Sequence, residues 1–176
     1  MSTTEVIFSR KSIRSYTGEM ISDKELHAIL KAGMAAPVGM KQYETVHVTV
    51  ISDPEMLTKI ENEAAKSMGN PGMKCFYNAP MYVLVSVKVN KTMPTVAHSN
   101  AAMNAQNMLL AATELGIGAC CIWGPVIALP RLPELMNELQ IPEGFVPSAG
   151  IVLGKTNDTY EQREIPDDRI AVTEIR

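Results

Sequence analysis

Aromatic side chains are scarce in this chain: phenylalanine, tyrosine and tryptophan make up 5% of its 176 residues, with one tryptophan among them. Twelve methionines take over much of the apolar filling. Methionine is unbranched and flexible, so it suits irregular gaps and exchangeable contact surfaces. Cysteine is scarce too. Three thiols, two of them adjacent at Cys120 and Cys121, form an odd and poorly spaced set for a disulfide framework, and no CxxC or Cys/His cluster offers zinc ligation. A reducing, cytoplasmic setting is expected. No apolar run reaches the roughly 20 residues needed to cross a bilayer, and the N-terminus lacks the apolar core of a signal peptide. A soluble protein without a membrane partner is therefore expected. Charge of one sign is not in excess either: 16 Lys and Arg stand against 19 Asp and Glu, for a net charge of −3. That balance gives no field to recruit nucleic acid or an anionic membrane, so any anion site must be local.

Several catalytic motifs are also missing. His27, His47 and His98 fall in different expected elements, and no Ser or Cys lies in a nucleophile elbow, which argues against a protein-based triad. Gly116, Gly118 and Gly124 do not have GxGxxG spacing and follow a helix instead of a strand, which argues against a dinucleotide-binding Rossmann unit. Cys120 and Cys121 read as small hydrophobes of a buried strand, pointing to opposite faces.

What is present is an interleaving of helices and strands. Ser2-x-x-Glu5 and Ser22-x-x-Glu25 are capping-box patterns, opening a short first helix and a second one that carries Leu26, Ile29 and Leu30 toward Pro37. Asp53-Pro54 opens a helix to about Met68, with aspartate as N-cap and proline at the first position. VHVTVI over 46–51 predicts a strand, as do the apolar runs over 81–87, 119–123 (ACCIW) and 146–155. GNPGMK, 69–74, is a loop. The longest helix is expected from about Val96 or Ser99 to Leu115, apolar on nearly all sides and therefore central. A short helix is expected near 131–139, and the tail from Lys155 is polar. On pattern alone both a three-layer α/β arrangement and an α+β sandwich remain open. The length fits one domain, 1–176.

The one conspicuous chemical feature is SRKSIRSY, 9–16. Guanidinium groups bind phosphate in bidentate fashion and a serine hydroxyl adds a neutral donor. In an extended segment Arg10, Ser12 and Arg14 share parity and point to one side, while Lys11 has the opposite parity. Alone, the stretch reads equally as a solvated cationic loop.

Distant segments change that balance. RKSIRSYTGEMISDKELHAILKAGMAAPVGM, FYNAPMYVLVS, NAAMNAQNMLLAATELGIGACCIWG and FVPSAGIVLGK together resemble the nitroreductase family of FMN-dependent oxidoreductases, block after block in the same order. The resemblance covers almost the whole chain. It implies an α+β, three-layer fold with a mixed central sheet flanked by helices and the long helix at a homodimer interface. It also implies FMN as cofactor, with hydride transfer from NAD(P)H to a nitroaromatic, quinone or related acceptor. By the same resemblance Arg10, Lys11, Ser12 and Arg14 match positions holding the FMN phosphate and ribityl chain, and Arg163 a basic residue returning to the phosphate. Pro37, Val38 and Gly39 match a loop beside the flavin ring, and Ile122, Trp123 and Gly124 a turn whose backbone lies against it. Asn70 and Lys74 match a further flavin-contacting loop. Residues 156–176 match a C-terminal arm that reaches across the other subunit.

Two positions depart from the family. Lys41-Gln42-Tyr43-Glu44-Thr45 stands where Asn-x-Gln-Pro-Trp is common, making Lys41 the candidate contact there. Ile122-Trp123-Gly124-Pro125 stands where many members have Pro-x-Glu-Gly. These departures suggest an alternative, a non-catalytic flavin-binding or flavin-handling protein of the same fold.

Overall fold

The computed structural model describes residues 1–90 and 92–176. Helix α1 spans Thr3–Ser9 and α2 spans Asp23–Met34; both open on the expected capping boxes, Ser2 with Glu5 and Ser22 with Glu25. Strand β1 (Val46–Ile51) leads into α3 (Pro54–Ser67), whose N-cap Asp53 accepts from Met56 N at 2.7 Å. Strand β2 (Met81–Lys88) precedes α4 (Pro94–Glu114), followed by β3 (Gly118–Cys121), α5 (Gly124–Ala128), α6 (Pro133–Glu138) and β4 (Phe145–Gly154).

Among the described residues the four strands lie in the order β1-β2-β4-β3. Period-2 alternation sends their apolar side chains to both faces, which is why β2 and β4 are buried almost throughout. On one face Val83, Val85, Ala149 and Ile151 pack with Ile29 of α2 and with Ala101, Ala105 and Met108 of α4. On the other Tyr82, Leu84, Cys120 and Val152 meet Leu57, Ile60 and Ala64 of α3, Ala128 of α5 and Leu135 of α6. Two helical layers thus enclose the sheet, as the α+β, three-layer expectation holds. Tyr82 has an exacting seat: its ring and hydroxyl occupy the space above Gly150, where a Cβ would lie 2.0 Å from Tyr82 Oη. That hydroxyl is buried with no hydrogen-bond partner among the described residues.

Three expectations are corrected. Every strand pair is antiparallel, where a mixed sheet was expected, because successive sheet neighbours run back along one another. The ACCIW strand ends at Cys121; Trp123 leaves the sheet, stands 55% exposed, and immediately precedes α5, a helix the apolar run concealed. Helix α4 is central but not apolar all round: Asn100 and Asn104 are buried in it, and Asn104 Nδ2 donates to Gly33 O at 2.8 Å. Residues 156–176 contain no helix or strand and are largely exposed.

Candidate functional site

The cationic stretch leaves α1 at Arg10, whose backbone turns extended (φ −56°, ψ 121°). It then runs along the outer edge of β3, where Ile13 N donates to Ala119 O at 3.0 Å and Ile13 is fully buried. Approach this close needs Gly118, because a Cβ there would lie 2.9 Å from the Tyr16 ring and 3.1 Å from Ile13 Cγ2. With Ile13 inward, period-2 alternation turns Arg10, Ser12 and Arg14 away from the core. Arg10 and Ser12 are half-buried and Arg14 is exposed; Lys11 is half-buried. Tyr16 Oη closes the segment by donating to Ile13 O at 2.8 Å, and burial pushes its phenol well above the usual range.

Among the described residues none of Arg10, Lys11 and Arg14 forms an ion pair. In a chain of net charge −3, a run of cations fixed to a sheet edge without carboxylate partners is chemically fitted to an anion. This donor set suits a phosphomonoester, which carries about −1.5 to −2 charge near neutral pH.

Two further segments gather beside it. The Arg14 guanidinium lies 5.8 Å from the centroid of the Tyr77 ring, a cation–π contact from the loop before β2. Turn 122–124 starts where Ile122 N donates to Gly150 O at 2.9 Å. A Cβ on Gly124 would lie 3.3 Å from Met68 Sδ and 3.9 Å from Cys75 Sγ, so this turn rests on the same loop that carries Tyr77. The Cys121 thiol is raised by burial and by Cys120, while Arg10 opposes the shift, which places that guanidinium's field at the end of β3. Cys75 is pushed up to about 11, first by burial and then by the Glu61 carboxylate.

The remaining expected residues divide. Arg163 reaches the start of the cationic stretch, but its Nε donates to Phe8 O at 3.1 Å and its Nη2 to Arg10 O, so two of its donors brace the end of α1. Lys74 Nζ pairs with Glu61 Oε2 at 3.1 Å, and Asn70 is an exposed turn residue whose carbonyl accepts from Met73 N. Among the described residues no hydrogen bond joins Pro37, Val38 or Gly39 to the 10–14 stretch. That loop docks on α4, with Gly39 N donating to Asn100 Oδ1 at 3.2 Å, and Lys41 beyond it is exposed.

Two participants went unanticipated, Tyr77 and Glu61. Tyr77 stood inside the quoted FYNAP block without a role. Glu61 carried a readable signal: it falls in phase with Leu57, Ile60, Ala64 and Ala65 on the buried face of α3, where a carboxylate requires partners.

The model described as the nitroreductase family matches residues 7–155. A protein of Archaeoglobus fulgidus, provisionally named NADH dehydrogenase/NAD(P)H nitroreductase, is 31% identical over 164 residues, covering 93% of this chain and 90% of its own. A Bacillus subtilis protein named FMN reductase (NADPH) is 27% identical over 165 residues, covering 86% of this chain and 65% of its own. The crystal structure of a nitroreductase with bound FMN from Bacteroides fragilis superposes with a TM-score of 0.84 at 27% identity, covering 99% of this chain and all of that one.

Proposed function

The chain belongs to the nitroreductase family, and on that premise we propose how its residues serve the FMN-dependent NAD(P)H oxidoreductase activity that membership carries. Arg10, Ser12 and Arg14 hold the phosphate end of FMN, with Lys11 contributing longer-range charge. The backbone of Ile122, Trp123 and Gly124 lies against the flavin ring. Asn70 and Lys74 flank it from the loop before β2, and Arg163 braces the end of α1 from which Arg10 projects. When bound, FMN supplies the hydride chemistry between NAD(P)H and an acceptor such as a nitroaromatic or quinone, and the protein binds, orients and shields. That division of labour accounts for a site with no triad.

The active unit is a homodimer. What supports this is that the 37–41 loop docks on α4 and, among the described residues, makes no hydrogen bond to the 10–14 stretch; in the proposed dimer a second copy supplies that loop. The exposed α4 residues Val96 and Met103 and the 156–176 arm are the proposed contact surfaces. No helix among the described residues is long and apolar enough to cross a membrane, and a cytoplasmic setting is part of the proposal.

The observation that carries the reading is the unpaired cationic run fixed on the β3 edge. Its test is the visible spectrum of the purified protein, followed by NADH or NADPH added separately under nitrogen. A band near ~450 nm that bleaches is expected, since reduction of oxidised flavin is the cofactor's own chemistry. Yellow protein that does not bleach supports the flavin-handling alternative, and protein that cannot be loaded with FMN removes the site.

A further inference from the structure

We propose that Glu61, which anchors the 69–78 loop at Lys74 and Phe76, is the positioning residue that sets Arg14 for FMN; the proposal rests on the cofactor reading above. Glu61 is the buried carboxylate of α3, 8% exposed. Both its oxygens are engaged by the loop: Oε1 accepts from Phe76 N at 2.8 Å and Oε2 pairs with Lys74 Nζ at 3.1 Å. Immediately after that anchor come Tyr77 and Asn78, with φ of 55° and 62°. Left-handed backbone is unfavourable for a bulky aromatic, and such conformations persist only where the surroundings over-determine them.

Here the surroundings are identifiable. Glu61 fixes the Phe76 amide, the Phe76 ring stacks on Tyr82 at 4.8 Å between centroids, and Ala79 N closes the turn on Phe76 O at 2.9 Å. The outcome of this forced turn is that the Tyr77 ring meets the Arg14 guanidinium. Arg14 has no carboxylate to orient it among the described residues, so the ring is the partner that restrains an otherwise free, exposed side chain. The chain of support therefore runs from Glu61 to the Phe76 amide, through the left-handed Tyr77, to Arg14. Glu61 touches neither cofactor nor substrate in this scheme.

The experiment titrates FMN into apo-protein of the full chain, following quenching of flavin fluorescence, for wild type, Glu61→Ala, Glu61→Gln, Arg14→Ala and the Glu61→Ala/Arg14→Ala pair. In parallel, iodoacetamide labelling of the Cys75 peptide is timed by mass spectrometry, because Cys75 sits in the latched loop and is buried. Expected results are an FMN affinity roughly two- to fivefold weaker in Glu61→Ala, the loss that removing the Tyr77 ring itself would bring, and faster Cys75 labelling. Glu61→Gln, which keeps an oxygen for the Phe76 amide, should weaken affinity less than Glu61→Ala. The double variant should bind no more weakly than Arg14→Ala alone, an equality that a merely structural lesion would not produce. Should Glu61→Ala not fold, Glu61→Gln combined with Arg14→Ala carries the same non-additivity test. Wild-type FMN affinity in the Glu61 variants, or effects that add to those of Arg14→Ala, overturn the latch while leaving the cofactor site standing. An Arg14→Ala variant that binds FMN normally overturns the site itself and the latch with it.

Discussion

At Met40 and Lys41 φ is 55° and 58°, and at Tyr77 and Asn78 it is 55° and 62°; neither pair contains glycine. Consecutive left-handed residues of this kind are uncommon, and both pairs lie in loops assigned to the cofactor. Their supports differ. The Tyr77 turn is held from within, by a buried carboxylate on one side, stacked aromatic rings beneath and a guanidinium above. Among the described residues the Met40 turn is held by the Lys41 N and Gln42 N bonds back to Val38 O and Gly39 O and by Gly39 on Asn100, and Met40 is 64% exposed. The same local strain is thus offset by several side chains in one loop and leaves the Met40 side chain itself exposed in the other. In the proposed dimer, the self-supported loop belongs to the protomer that grips the phosphate, and the uncovered loop is the one lent to the neighbouring site.

The largest expected effect tests the self-supported side. Arg14→Ala should weaken FMN binding by about 1.5–3 kcal/mol, roughly 10- to 150-fold, if a charge-assisted hydrogen bond to phosphate is lost; equilibrium titration measures it. Tyr77→Asn comes next. Asparagine tolerates the left-handed region but removes the ring, so FMN affinity should fall by the about 0.5–1 kcal/mol of an exposed cation–π contact, with the unfolding midpoint little changed. A collapse of stability would instead show that the ring holds the loop. On the uncovered side, Met40→Gly relieves about 1 kcal/mol of left-handed strain but adds unfolded-state entropy of similar size. Its denaturant midpoint should match wild type, and a loss above about 1 kcal/mol would show that the Met40 side chain is gripped after all. The smallest effect is a control remote from both loops. Glu25 is held down to about 2, first by the Lys155 ammonium at 2.6 Å and then by the Ser22 amide and hydroxyl. Because its folded value lies below the ordinary 4.5, its contribution is complete above that pH and is lost as pH falls toward 2. The stability gap between wild type and Glu25→Gln should therefore shrink over that window, without any change in FMN affinity.

What could be read from the sequence follows how local its causes are. Helix starts at Ser2, Ser22 and Asp53 were legible because a capping side chain binds an amide three residues away. The parity of Arg10, Ser12 and Arg14 was legible once extended backbone was assumed, and Ile13 on Ala119 bears that assumption out. Strand direction was not, since it depends on how long connections return to the sheet. The end of β3 was hidden because Ile122 continues both the apolar run and the register, its amide bonding to Gly150 O next to the Cys121–Ile151 pair, so the chain departs only at Trp123. Glu61 was half-legible: the helix phase places it inward, but nothing local reveals that its partners are an amide and an ammonium more than ten residues onward.

The seat of Tyr82 on Gly150 couples the histories of two positions far apart in the chain. No side chain of any size can enter at 150 while the phenol occupies that space, so a change at 150 must wait for a smaller residue at 82. A library that varies either position alone would recover only Gly150, whereas one that varies both together could trade an unpaired phenol for two modest aliphatic groups. Redesign of the sheet face that carries this contact has to begin with this pair.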